Sequence, residues 1–223
     1  MRQRPGRRVW LVHCIAVAAA CLGAASSATA SAGPSGVILV VGDSLSAEYG
    51  IPRGTGWVAL LEQRLKAERI TASVVNASIS GDTTAGGRSR LPALLERHRP
   101  KVVVIELGGN DALRGLPLDG TRDNLLAMTR AAKAAGARVL IAGMQVPPNY
   151  GKTYADAFQG VFSTVAKAEA VALVPFLLKG VADGPDAEAM FQPDRIHPVA
   201  KAHPRMLDNV WPALRPLLQG LPR

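Results

Sequence analysis

From about residue 35 onward, short runs of strand character alternate with longer stretches of helical spacing. Val37-Ile38-Leu39-Val40-Val41 is an unbroken apolar run of strand length, the pattern of a strand covered on both faces. Residues 57–67 place Trp57, Leu60, Leu61 and Leu65 on one side of a helix. Residues 73–76 read as a second strand, and residues 91–98 as a helix that stops before Pro100. Residues 102–107 form the clearest strand, and a helix follows over 121–135, with Asp119 or Thr121 as its cap and Gly136 as its terminator. A strand at 138–142, a helix at 154–170 and a weak strand at 172–175 come next. The last helix spans 199–218, and its internal prolines break or bend it. Buried strands alternating with helices predict an α/β fold, a doubly wound parallel sheet of about five strands with helices on both faces. One domain covers residues 35–220, with no repeat, low-complexity tract or linker.

Residues 1–32 follow another pattern. Arg2, Arg4, Arg7 and Arg8 form a basic head, an apolar run extends from Val9 to about Ala25, and small residues follow through Ala32. These are the parts of a secretory signal peptide, with cleavage after Ala30 or Ala32, and they predict an exported protein, periplasmic or secreted. A permanent anchor is the rival reading, but the run is short for a membrane span. Arg7-Arg8 also fits a twin-arginine route, and Cys21 a poor lipoprotein site.

That leader changes the composition. The full chain has 223 residues, 48% hydrophobic and 4% aromatic, so its core must rest on Ala, Val and Leu. Removing residues 1–32 takes away four arginines and no acid, which lowers the net charge by four from +9. Both cysteines, Cys14 and Cys21, leave as well, so the mature chain has no disulfide, thiol nucleophile or cysteine metal site. The remaining positive charge is scattered, with no basic run interleaved with aromatics, which argues against a nucleic-acid partner.

Open α/β sheets bind ligands beyond the carboxyl ends of their strands, so the segments after each strand are the place to look for chemistry. After the first strand comes Gly42-Asp43-Ser44-Leu45-Ser46, an ordinary turn in composition that also exposes a serine hydroxyl at the sheet rim. It is not a Gly-x-Ser-x-Gly elbow, and no such elbow occurs elsewhere. After the second strand, Ser80 or Asp82 can cap the next helix, while Gly81 offers a backbone amide that a reacting oxygen can approach closely. After the third, Gly108-Gly109-Asn110-Asp111 is a turn whose Asn110 amide can donate into the cleft without titrating. Near the end, Asp194 and His197 stand three apart, on one side of a helical turn, where the carboxylate can orient the imidazole. Of the four histidines, His13 lies in the leader, His98 ends a basic helix, and His203 takes a solvated or packing position. A Gly-x-Gly-x-x-Gly or Walker loop after the first strand, which a nucleotide-binding domain needs, is absent.

Each string alone is weak, but their order is not. Ser44, Gly81, Asn110 and His197, within intact Gly-Asp-Ser-Leu, Gly-x-Asn-Asp and Asp-x-x-His strings, resemble the four blocks of the GDSL/SGNH hydrolase superfamily. The resemblance covers nearly all of the mature chain. Leu113-Arg114-Gly115-Leu116-Pro117 and Pro148-Asn149-Tyr150-Gly151 resemble the thioesterase I / protease I / lysophospholipase L1 branch, which includes arylesterases. Arg195 and Val199 depart from the small and polar residues common there, which bears on local rate or specificity.

The resemblance implies a flavodoxin-like strand order, no metal and no organic cofactor. It implies hydrolysis of acyl esters or thioesters (aryl esters, acyl-CoA-like thioesters, lysophospholipids) by Ser44, His197 and Asp194. The Ser44 and Gly81 amides and the Asn110 side chain then form the oxyanion hole. Leu113, Leu116, Met144, Val146 and Pro147 sit on loops after strands and read either as ordinary packing or, as a set, as the lining of an acyl groove. The expected partners are small acyl esters or thioesters, with no stable protein partner evident. Two rivals remain. A carbohydrate acetyl esterase would use the same machinery, but Trp57 and Trp211 lie next to no motif. A non-catalytic binding protein would have lost one of the four motif residues.

Overall fold

The computed structural model describes residues 36–221; the leader expected over residues 1–32 lies outside them. Five parallel strands form one sheet: β1 (Val37–Gly42), β2 (Ser73–Asn76), β3 (Val102–Glu106), β4 (Arg138–Ala142) and β5 (Ala172–Val174). Their order is β2-β1-β3-β4-β5, the flavodoxin-like arrangement, so the strand order reverses between β1 and β3. From Ile38 to Val41 and Val102 to Ile105 every side chain is fully buried, because helices cover both faces.

Those helices are α1 (Trp57–Ala67), α2 (Thr84–His98), the one-turn α3 (Gly109–Leu113), α4 (Leu118–Ala134), α5 (Lys152–Glu169) and α6 (His203–Leu214). α1 packs with α6, while α4 packs with α2 and α5. α6 turns Met206, Leu207, Val210, Trp211 and Leu214 into the core at helical spacing. Of its prolines, Pro204 stands in its first turn, Pro212 lies inside it without ending it, and Pro216 stands at the start of the 3-10 turn that follows.

Three boundaries differ from the sequence reading. α2 begins at Thr84 rather than near residue 91. A Cβ on Gly87 would collide with Leu107 Cδ1, so the glycine lets the helix lie close against the Leu107 side chain. α4 begins at Leu118, after Pro117, and neither Asp119 nor Thr121 caps it. Thr121 is instead buried, donating its hydroxyl to Asp111. The Gly108-Gly109-Asn110-Asp111 segment is more than a turn, since it opens α3 from Gly108, whose φ of 123° lies in glycine's range.

Candidate active site

β1 ends in a tight turn that lifts Ser44 to the rim of the sheet. The Asp43 carbonyl accepts the N–H groups of Ser46 and Ala47, at 3.2 and 2.9 Å. A Cβ on Gly42 would stand 2.7 Å from Glu106 Oε2 and 2.9 Å from Ser46 Cβ, so a side chain there would push the turn or that carboxyl aside. Asp43 is buried, and its two oxygens accept from the Leu45 N–H at 3.0 Å and the Asn110 side-chain amide at 2.9 Å.

The structure brings together three side chains from segments far apart in sequence. Ser44 Oγ lies 2.8 Å from His197 Nε2, and His197 Nδ1 lies 2.7 Å from Asp194 Oδ2. Partial desolvation opposes ionisation of Asp194, but hydrogen bonds from the His197 N–H, the His197 ring and the Ile196 N–H prevail and hold its pKa down to about 2. An ionised carboxylate only accepts, so Nδ1 carries the imidazole proton and Nε2 is left to accept from the Ser44 hydroxyl.

The turn that places Asp194 and His197 is not the helical turn expected. Arg195 has φ +57°, in the left-handed region, and Asp194 Oδ1 accepts the N–H groups of Ile196 and His197, at 2.9 and 3.0 Å. The carboxylate thus builds the turn with one oxygen and orients the ring with the other. Outside the turn, Phe191 bridges Pro198, and the Gln192 N–H donates to the His197 carbonyl at 2.8 Å. Arg195 points outward to Glu188 at 3.4 Å, and Val199 closes the same loop through its N–H to Met190.

The oxyanion donors expected from the sequence lie in the segments that follow β1, β2 and β3. No described residue accepts a hydrogen bond from the Ser44 or Gly81 N–H. Gly81 has φ +79°, and a Cβ there would meet nothing nearer than Arg114 Nη2, at 3.6 Å, so backbone conformation rather than space calls for glycine. Asn110 spends one of its two amide hydrogens on Asp43 and keeps the other.

The apolar candidates divide. Leu113 and Leu116 are exposed, as is Pro147, and Val146 is half-buried, whereas Met144 is buried in the core. Sequence reasoning missed Tyr49, Ile79 and Ile196. These are the other exposed large hydrophobics among the described residues, and each lies in a segment beside Ser44, Gly81 or His197. The Tyr49 ring lies against the His197 ring with centroids 4.3 Å apart.

One buried polar group beneath the turn, Glu106, also went unread. Glu106 is fully buried; its Oε2 accepts from Ser46 Oγ at 2.7 Å and the Asp43 N–H at 3.3 Å, while Oε1 has no partner. Burial, then the nearby Asp43 charge, push its pKa well above the usual carboxylate range; burial likewise raises Asp43 to about 6. Of the two positions left open for His203, solvated or packing, it takes the packing one and is buried. Its Nδ1 accepts the Trp57 N–H at 3.1 Å and its ring donates to the Pro198 carbonyl, while burial lowers its pKa to about 4. Trp57 therefore does meet a motif: its indole N–H reaches Ser46 Oγ at 3.1 Å. A glutamate two residues after a strand midpoint and a histidine on a predicted helix carry no local signal of such burial. Among the described residues no cluster of His, Cys, Asp or Glu is arranged to hold a metal ion.

A doubly wound sheet with this serine-histidine-aspartate arrangement at its switch point defines a hydrolase of carboxylic ester or thioester bonds. The comparisons narrow the class. Residues 40–205 match the GDSL-like Lipase/Acylhydrolase family, and the chain belongs to that family. It is 55% identical to Esterase TesA of Pseudomonas aeruginosa over 81% of this chain and 89% of the relative. It is 41% identical to Thioesterase 1/protease 1/lysophospholipase L1 of Escherichia coli K12, over 81% of this chain and 84% of the relative. The crystal structure of the psychrotrophic esterase EstA from Pseudoalteromonas sp., inhibited by monoethylphosphonate, superposes with a TM-score of 0.76 at 37% identity, covering 83% of this chain and all of the other.

Proposed function

We propose that this enzyme is an exported esterase that cleaves acyl esters or thioesters through an acyl-enzyme on Ser44. The observation that carries the reading is the unbroken hydrogen-bond sequence from Ser44 through His197 to Asp194. A serine hydroxyl is a weak nucleophile near neutral pH, and a base at 2.8 Å answers that need. His197 takes the hydroxyl proton as Ser44 Oγ bonds to the acyl carbon. It then returns that proton to the alcohol or thiol as the tetrahedral adduct collapses. Asp194 keeps the ring in its productive tautomer and stabilises the imidazolium. The Ser44 and Gly81 amides and the second Asn110 amide hydrogen receive the negative charge on the carbonyl oxygen. Water repeats the two steps and frees the acid.

Lipid-like acyl groups are the proposed substrates. Tyr49, Ile79, Leu113, Leu116 and Ile196 expose apolar surface on the segments around Ser44, while Trp57 and Trp211 are buried and give no platform for a sugar ring. The Escherichia coli relative carries thioesterase and lysophospholipase in its name, and the Pseudoalteromonas esterase is inhibited by a phosphonate, both in keeping with this reading. The basic head, apolar run and small-residue end of residues 1–32 support export.

A fluorophosphonate probe should label the wild-type protein and leave Ser44→Ala unlabelled. Wild type should hydrolyse a ladder of p-nitrophenyl esters and acyl-CoA thioesters. Labelling of Ser44→Ala, or wild-type cleavage of acetylated xylan in preference to the acyl ladder, overturns the reading. Cell fractionation with N-terminal sequencing of the mature protein tests export.

A further inference from the structure

We infer that Asp111 and Arg114 are positioning residues that clamp the Gly81 segment to α3 and thereby set the gap between the Gly81 amide and the Asn110 side chain. This rests on the ester-hydrolase reading above. Gly81 follows β2 and Asn110 follows β3, and β1 lies between those strands. No ladder of sheet hydrogen bonds therefore fixes one segment against the other. Two bridges do so instead, one from Asp111 in α3 and one from Arg114 just past its end, one and four residues after Asn110.

The inner bridge is buried. Asp111, 2% exposed, accepts the Thr84 N–H through Oδ2 at 2.9 Å and the Thr84 hydroxyl through Oδ1. Thr121 adds its hydroxyl to Oδ1 at 3.3 Å, and the Asn124 amide donates to the Thr84 hydroxyl at 3.1 Å. The carboxylate thus sits at the first turn of α2, where free N–H groups and the helix dipole favour an anion. The outer bridge is exposed: Arg114 Nη2 donates to the Gly81 carbonyl at 2.7 Å. Together the bridges bracket residues 81–84 from the inside and the outside. An oxyanion hole works only when its donors meet the developing charge at about 2.7–3.1 Å. A displacement of about 1 Å can remove roughly a hundredfold in rate. A helix cap alone would alter stability and leave turnover in place.

The test compares Thr84→Val, Thr84→Ser, Arg114→Ala and Ser44→Ala with wild type, measuring melting temperature, fluorophosphonate labelling rate, and kcat and KM on p-nitrophenyl butyrate. Valine keeps the shape of threonine and the backbone N–H but removes the hydroxyl that Asp111 holds. The clamp predicts a loss of roughly ten- to a hundredfold in kcat and in labelling rate for Thr84→Val, with KM within about threefold of wild type. Thr84→Ser should recover most of the loss. Arg114→Ala, altered only at an exposed side chain, should fold and show a smaller loss of the same kind. Wild-type kcat in both Thr84→Val and Arg114→Ala overturns the clamp, as does a loss confined to KM or one that serine does not recover. If Thr84→Val does not fold, Arg114→Ala decides: an unchanged kcat overturns the clamp. Ser44→Ala separates the two readings. Labelling or turnover in that variant overturns the hydrolase reading itself, whereas its inactivity beside fully active clamp variants overturns the clamp alone.

Discussion

Asn110 donates one amide hydrogen to Asp43 across 2.9 Å, which ties the residue before Ser44 to the loop after β3. In the oxyanion role proposed for Asn110, that bond would aim the amide before any substrate arrives, so that its second hydrogen would meet a carbonyl oxygen at little reorganisation cost.

Asn110→Ala should therefore leave a crippled but measurable enzyme. Loss of one such donor costs about 3–4 kcal/mol of barrier, on the order of a hundred- to a thousandfold in kcat. Ser44→Ala should fall much further, to the background rate. Steady-state kinetics on one p-nitrophenyl ester checks both; small and equal effects would remove Asn110 and Ser44 from these roles.

Glu106 makes stability depend on pH in a direction opposite to ordinary surface carboxylates. Burial raises its folded-state pKa well above 4.5, and Asp43 is raised from 3.8 to about 6. Below those unfolded values both states hold the protons. As pH rises, the unfolded chain releases them first, so stability declines through the folded pKa values. Each group's slope is at most about 1.4 kcal/mol per pH unit, or roughly 3–6 °C in Tm for a chain of this size. Glu106→Gln keeps an acceptor for Ser46 and Asp43 and removes one titration. Its Tm advantage over wild type should grow from pH 4 to pH 8 in a calorimetric series. A difference that stays flat with pH contradicts a proton held on Glu106.

His203 acts in the other direction. Its pKa is lowered by burial from 6.5 to about 4, although Glu48 and the Pro198 carbonyl pull it up. Between those values the unfolded chain takes the proton first, so the stabilisation present above pH 6.5 is lost as pH falls towards 4. Protonation would also cost the acceptor for the Trp57 N–H, at the start of α1. The Tm of wild type should fall more steeply from pH 6.5 to 4 than that of His203→Gln. Comparing the two removes the opposing contribution of Asp43 and Glu106, which both proteins share. Parallel curves would show that His203 does not titrate as a buried neutral ring.

Elements and motifs were legible in the sequence because each is a local property. An apolar run such as Val37 to Val41 marks a buried strand by itself, and Gly42-Asp43-Ser44-Leu45 or Gly108-Gly109-Asn110-Asp111 can be read without knowing what lies opposite. Their order along the chain was enough for the fold class, the family resemblance and the candidate residues Ser44, Gly81, Asn110, Asp194 and His197. What escaped depends on partners far away in the chain. Glu106 is only a polar residue at a strand end until folding seals it beneath Asp43 and Ser46, some sixty residues earlier. His203 reaches the Trp57 N–H only when α6 meets the start of α1, and Gly87 comes close to Leu107 only once α2 lies against the sheet. The Asp194 turn differs from the helical one expected because the carboxylate captures two backbone N–H groups with Arg195 in the left-handed region. Periodicity and composition report a residue's own preferences over a few neighbours. Burial, protonation and long-range hydrogen bonds belong to pairs of segments, and only the packed tertiary structure decides which segments meet.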